Sequence, residues 1–293
     1  MRTLIVMWML VSVALAGQDR PLPNSEALLA AARENLSRAE RDDHLYAFKE
    51  RRTDLHTNPF GRLGTGGTRV LDVYPSATRQ LTYRRIIERD GTLVLAQELA
   101  QQDREYRARV TDVLKRQGER SADERRTRED AARQRTLNRV DDVVEALEFT
   151  VQGRAMLDST PAILVTFVGR PQAKPTTREG RIAQKFEGKV WIDEAAAEVI
   201  RVEAIATDDI SFGLGLVARL GKGTTALLVR RPVEGGIWMP TELKLSGRGR
   251  AAIFRRLVVD FAVQWFDYRR LSGTSLTPFL DAGVQGQSGS RPQ

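Results

Sequence analysis

Residues 185–206 read "KFEGKVWIDEAAAEVIRVEAIA", and the period of this stretch decides the fold. Five of its 22 residues are acidic: Glu187, Asp193, Glu194, Glu198 and Glu203. Carboxylates at this density suit acid–base chemistry, or they suit the wet face of a sheet. Phe186, Gly188, Val190 and Ile192 alternate with Glu187, Lys189, Trp191 and Asp193. On the return, Ile200, Val202, Ala204 and Ala206 alternate with Arg201 and Glu203, and "DEAAAE" joins the two runs. A period of two predicts a hairpin with its apolar faces side by side. A general acid needs a raised pKa, which usually means burial. The alternation buries none of these acids, so they are expected on the solvated face or in the turn, where opposite charges across a strand pair contribute about 0.2–1 kcal/mol.

The same pattern extends outward. "VVEALEFTVQGR", "PAILVTFVG", "FGLGLVARL", "TTALLVRRP", "MPTELKLSGR" and "AAIFRRLVVDFAVQWFDYRRL" read as strands cut by Gly and Pro, with "RPQAKPTTREG" as a loop. Upstream, "HLYAFKERRTDL", "RVLDVYP" and "RQLTYRRIIERDG" also read as strands, the last ending at an Asp90-Gly91 turn, while "NPFGRLGTGGT" reads as a loop. Before them, Asn24 or Ser25 caps an amphipathic helix over about 25–41, with Leu28, Leu29, Ala32 and Leu36 on one side.

Residues 93–145 differ in kind. Between Asp103 and Arg139 twelve Lys/Arg face eight Asp/Glu, half of the net +8 of the whole chain. Tyr106, Val110, Val113 and Leu114 hold a helical stripe, and apolar residues then thin out until Leu137. A long charged helical insertion is expected, solvated in its middle. A coiled coil lacks sustained apolar a and d positions after Leu114.

The chain opens "MRTLIVMWMLVSVALAGQD": a basic start, an apolar run over 3–16, and small residues at Ala14 and Ala16. This predicts a signal peptide over 1–16, cut after Ala16, too short to span a bilayer. With no cysteine there is no lipid-bearing lipobox and no disulfide, so the expectation is a soluble periplasmic protein with no transmembrane segment in its mature chain. Residues 17–271 are read as one domain and 272–293, rich in Gly, Ser and Gln, as a disordered tail. In an exported protein the basic excess argues for solubility, anionic surfaces or acidic partners, and not for nucleic acid.

Motifs of catalysis fail on spacing. His44 and His56 sit twelve apart without HExxH, and no cysteine could complete a metal site, so neither a metal nor a cofactor is expected. No G-x-S-x-G elbow supports a triad, although a hydrolase built on a histidine remains a third possibility. From Gly215, "GLVARLGKGTT" has five residues between its glycines, and Gly223 follows Lys222, which is not a P-loop. The aromatics Trp191, Trp238, Trp265, Phe261, Phe266 and Tyr268 suit a packed core or the lining of a lipid site.

"YAFKERRTD" (46–54), "FEGKVWIDEAAAEVIRVEA" (186–204), "PVEGGIWMPTELKL" (232–245) and "RRLVVDFAVQWFDYRRL" (255–271) resemble the outer-membrane lipoprotein-sorting group, the LolA-like periplasmic carriers. The G-x-V-x-I-D hairpin and the G-x-W-x-P strand start carry the likeness, which covers 24–170 loosely and 185–270 better. The resemblance implies an α+β fold: a curved antiparallel sheet forming an incomplete, half-open β-barrel covered by helices. It implies a non-enzymatic carrier that holds a lipid or acylated lipoprotein against the concave face. Expected lining residues are Val190, Ile192, Ile200, Val202, Leu243, Leu245, Leu257, Val259 and Phe261, which equally suit a closed core. The charged insertion departs from the small carrier, and no functional residue of the family is carried over. The alternative is an envelope scaffold whose basic helical arm docks another envelope protein.

Overall fold

The computed structural model describes residues 21–57, 63–76, 81–118, 124, 127, 131, 134, 139–212, 218–251 and 255–271. The expected signal peptide and C-terminal tail lie outside the described residues. Asn24 caps α1 (Ser25–Asp42), its side chain accepting from the Ala27 amide. A single 3-10 turn, Asp43–Leu45, turns the chain into the sheet. The upstream strands are β1 (Tyr46–Thr57), β2 (Leu63–Tyr74), β3 (Tyr83–Arg89) and the short β4 (Thr92–Leu93). Helix α2 (Ala96–Gly118) opens the insertion, and α3, over 139–145, closes it. Then come β5 (Leu147–Leu157), β6 (Thr160–Gly169), α4 (Arg178–Ala183), β7 (Phe186–Asp193), β8 (Val199–Ala206), β9 (Ile210–Phe212) and β10 (Ala218–Leu220). The last strands are β11 (Thr225–Pro232), β12 (Trp238–Ala251) and β13 (Arg255–Arg270).

All strand pairs are antiparallel, and the order is β4-β3-β2-β1-β13-β12-β11-β8-β7-β6-β5, with β9 and β10 extending the β12 side. The path begins at β4 and ends at β5, so the sheet is open. Bulges at Ala47/Lys49, Thr53/Leu55, Val70/Leu71, Val151/Gly153, Trp191/Ile192 and Val229/Arg230 add local bend and twist. The sheet curls far enough that residues of α1, β6, β7, β8 and β13 join one buried cluster. This is the open, curled antiparallel sheet with helices, an α+β fold, that the resemblance implied.

Several details differ from expectation. Gly64 to Gly67 lie in β2, not in a turn, because β2 pairs with β1 as far as Leu63 opposite Thr57. Gly67 faces Asp90, whose carboxylate accepts from the Thr68 amide, and a Cβ at Gly67 would stand 2.4 Å from that carboxylate. The loop after β6 contains α4, capped by Thr177. Finally, the helices do not share one face. Arg52 pairs with Val263 on β13, whereas Ala47, Tyr74 and Tyr83, on the reverse side, form a second core with Tyr106 and Val110 of α2. Thus α1 covers the β5–β8 half from one side, and α2 covers β1–β3 from the other.

Candidate functional site

On the α1 side of the sheet the cross-strand register lines up equivalent residues. Val151, Val165, Val190 and Val202 stand opposite one another across β5, β6, β7 and β8. The same row continues through Leu228, Leu243 and Val263 on β11, β12 and β13. A neighbouring row starts at Phe149 and Phe167, rings 6.2 Å apart, and ends at Leu245 and Phe261. Between these bulky ends lie Gly188, Ala204 and Ala226. Small side chains flanked by large ones make a trough. Gly188 is obligatory there, since a Cβ would stand 2.0 Å from the Glu203 carbonyl oxygen.

The trough is not covered evenly. Over β5–β8, Leu28 and Ala32 of α1 are buried in the cluster with Ile163, Val165, Val190 and Ile192. Over β11–β13, Ala226, Leu228, Leu243, Leu245 and Phe261 are only half-buried. Of the expected lining residues, Val190, Ile192, Val202, Leu245, Val259 and Phe261 meet in this one cluster. Leu243 lies in the adjoining row. Ile200 is buried but outside the cluster. The bulge between Trp191 and Ile192 pairs Ile192 with Val199, which takes the place expected of Ile200. The side chain of Leu257 lies outside the described residues. Trp191 faces the reverse side, beneath the Arg201 guanidinium at 6.0 Å from the ring centroid.

The acids of 185–206 divide. Glu187 is exposed, Asp193 caps its own turn through the Ala195 and Ala196 amides, and Glu194 pairs with Arg154. Glu198 contradicts the expectation of a solvated acid: it is 3 % exposed and bound to Arg230, 4 % exposed, at 3.1 Å. Arg230 also donates to the carbonyls of Val199 and Trp238. Burial pulls the Arg230 pKa below its ordinary value, and Glu198 opposes that pull. Buried ions persist when they are paired and hydrogen-bonded. Alternation could not reveal this pair, because its partner lies 32 residues away and on a bulged strand. Arg38 of α1 reaches Glu198 at 3.5 Å, and Asn35 donates to the carbonyls of Ala196 and Ala197, so the β7–β8 turn is where α1 is tied down.

A second polar node lies further along the same side. Glu50, 4 % exposed, accepts from Arg84 at 2.9 Å and from the Trp265 indole at 3.2 Å. Tyr268 donates to the Pro240 carbonyl at 2.6 Å, and burial, then the Glu50 charge, push its pKa up. Neither node holds a nucleophile beside a base. His44 contacts the Arg41 carbonyl on the surface, and the side chain of His56 lies outside the described residues. Among the described residues no group of three or more His, Cys, Asp or Glu could hold a metal, and no helix is long and apolar enough to cross a membrane.

No protein-family model matches the chain, and no curated protein does. Three solved structures match the chain at low similarity. A domain named for outer membrane lipoprotein sorting, from Vibrio parahaemolyticus, is 12 % identical, with 89 % of this chain and all of that one covered and a TM-score of 0.36. A DUF1329 family protein from Desulfovibrio piger is 10 % identical, with coverages of 88 % and 99 % and a TM-score of 0.31. The MucA/MucB complex of Pseudomonas aeruginosa gives 10 %, 81 %, 94 % and 0.23 on the same measures.

Proposed function

We propose that this is a non-enzymatic, exported periplasmic carrier that holds the acyl chain of a lipid or lipoprotein in the trough between α1 and the sheet. One observation supports the reading above the others: the apolar row continues beyond the reach of α1, leaving Leu228, Leu243, Leu245 and Phe261 half-buried. An apolar sheet face needs a cover, and an acyl chain supplies one at about 0.8 kcal/mol per buried methylene. The modest grip of α1 lets the ligand extend under it as well.

The test is native mass spectrometry of the chain purified from the periplasm without detergent. A lipid adduct is expected, and Leu245→Asp and Phe261→Asp should each abolish it while leaving the far-ultraviolet circular dichroism unchanged. A wild-type protein that carries no lipid and takes up none from vesicles would overturn the proposal.

A further inference from the structure

Beyond β8 and β11 the sheet continues as a narrow extension of β9, β10, the end of β12 and the start of β13. Across it Ser211 stands opposite Arg219, Arg219 opposite Arg250, and Arg250 opposite Arg256. In the neighbouring row Arg248 stands opposite Val258. Residues 218–223, 246–251 and 255–258 together hold six cations, Arg219, Lys222, Arg248, Arg250, Arg255 and Arg256, and no acid. Leu220 and Leu245 pack into the α1-side cluster, so alternation turns Arg219, Arg248 and Arg250 to the reverse side. The second core, beneath α2, draws on β1–β3 and not on these strands. Arg248 and Arg250 are exposed, and among the described residues neither guanidinium has a hydrogen bond or an ion pair. The Arg219 side chain is 55 % exposed and meets Asp209 at 3.6 Å. The other bordering acid on this face, Asp260, stands opposite Ser246.

Like charges directly opposite one another destabilise a strand pair, and a layer of negative charge laid against the face reverses that term. Two features favour a bilayer over an acidic chain. The cations form a patch and not a line, on strands about 4.8 Å apart. Val258 and Ile205, 48 % and 42 % exposed, lie on the same side and offer apolar contact beside the charge. Guanidinium forks match phosphate through paired charge-assisted hydrogen bonds.

We infer that the reverse face of β10, β12 and β13 docks on an anionic phospholipid bilayer, with Arg219, Arg248 and Arg250 against its phosphates. This face is separate from the trough and does not depend on what the trough holds. The experiment sediments the full mature chain with vesicles of phosphatidylglycerol mixed into phosphatidylcholine, and with vesicles of phosphatidylcholine alone. The chain should sediment with the first and not with the second, and high salt should release it. Arg248→Gln with Arg250→Gln should weaken association about twentyfold, at about fivefold for each arginine. Lysine at both positions should keep most of the association, which separates charge from fold. Should the glutamine pair melt early, Arg248→Gln alone supplies the test at about fivefold. Arg107→Gln with Lys115→Gln removes the same charge from α2 and should have little effect. Equal association with both kinds of vesicle, or a loss from the α2 pair as large as that from the β12 pair, overturns the assignment. Soluble polyglutamate that binds as tightly and displaces the vesicles overturns it in favour of an acidic protein. Leu245→Asp, which strips the trough of its ligand under the carrier reading, should still sediment; its failure to do so would put the bilayer contact at the trough and overturn the docking face. A chain that docks yet carries no lipid fails the carrier reading alone.

Discussion

Helices α1 and α2 each cover part of the same sheet, but they are attached by different means. The contacts of α2 are backbone-deep. The Gln102 carboxamide accepts from the Ile86 amide at 2.8 Å and donates to the Ile86 carbonyl at 3.0 Å, standing in for a strand along the β3 edge. Tyr106 stacks on Tyr83 with centroids 4.1 Å apart and donates to the Leu81 carbonyl. Asp103 accepts from the Tyr83 hydroxyl and pairs with Arg85. By contrast, α1 buries Leu28 and Ala32, packs Leu29 and Leu36 against the same cluster, and adds polar side-chain contacts at its rim through Asn35, Arg38, Arg33 and Glu40, none of them to the backbone of an edge strand. Lifting α2 would orphan backbone groups of an edge strand, which costs more than exchanging rim hydrogen bonds for water. Hence α2 belongs to the architecture, and α1 is the more loosely attached of the two helices.

The largest effect should come from the charge beneath the α1 attachment. Glu198→Ala leaves Arg230 buried and unpaired and should cost about 3–5 kcal/mol in urea denaturation. Replacing both partners by Leu and Met should recover most of that loss. A cost below about 1 kcal/mol would mean that water reaches Arg230 and that the pair does not anchor the β7–β8 turn.

The next two variants compare the helices directly. Gln102→Ala should destabilise by about 1–3 kcal/mol and speed amide exchange at Ile86, because two backbone groups lose their partner. Asn35→Ala removes rim bonds to the Ala196 and Ala197 carbonyls and one accepted from Arg38, and should cost about 1 kcal/mol, while accelerating uptake of acyl chains from vesicles. If Asn35→Ala instead slowed uptake, α1 would be part of the binding wall and not a movable cover.

How much of this was readable beforehand depends on the range of the interaction. The hairpin 185–206 and helix α1 announce themselves locally, through a two-residue and a 3.6-residue period. Six expected lining residues share one cluster for the same reason. Ile200 falls outside the cluster because a single bulge shifts the phase, and one residue is enough to change faces. Gly64 to Gly67 look like a turn by composition, yet pairing with β1 overrides propensity. Glu198 with Arg230, and the pairing of Arg52 with Val263, depend on register between distant strands. Nothing in the local pattern of "ERRTD" (50–54) tells that Arg52 will continue a row of valines.

The smallest expected effect tests the strut on which α1 leans. Arg33 and Glu40 bind α3 through Asp141 and Arg139, so the rim of α1 is only as firm as α3. Helix α3 is in turn fixed to the loop before α4 by Asp142, whose carboxylate accepts from the amides and hydroxyls of Thr176 and Thr177. Burial raises this carboxyl, but the four hydrogen bonds outweigh it and hold the pKa below its ordinary 3.8. A carboxyl depressed in the native state takes up its proton less readily than in the unfolded chain. Its contribution is therefore complete above the unfolded value and disappears as the pH falls through the native one. Asp142→Asn should cost about 1 kcal/mol at neutral pH, and the difference from wild type should vanish in acid below that window. Amide exchange at Thr176 and Thr177 supplies the local readout: fast in the variant at every pH, and fast in the wild type only in acid. If the wild-type amides open already near neutrality, Asp142 does not hold the strut, and the firmness of the α1 rim must come from the β7–β8 turn alone.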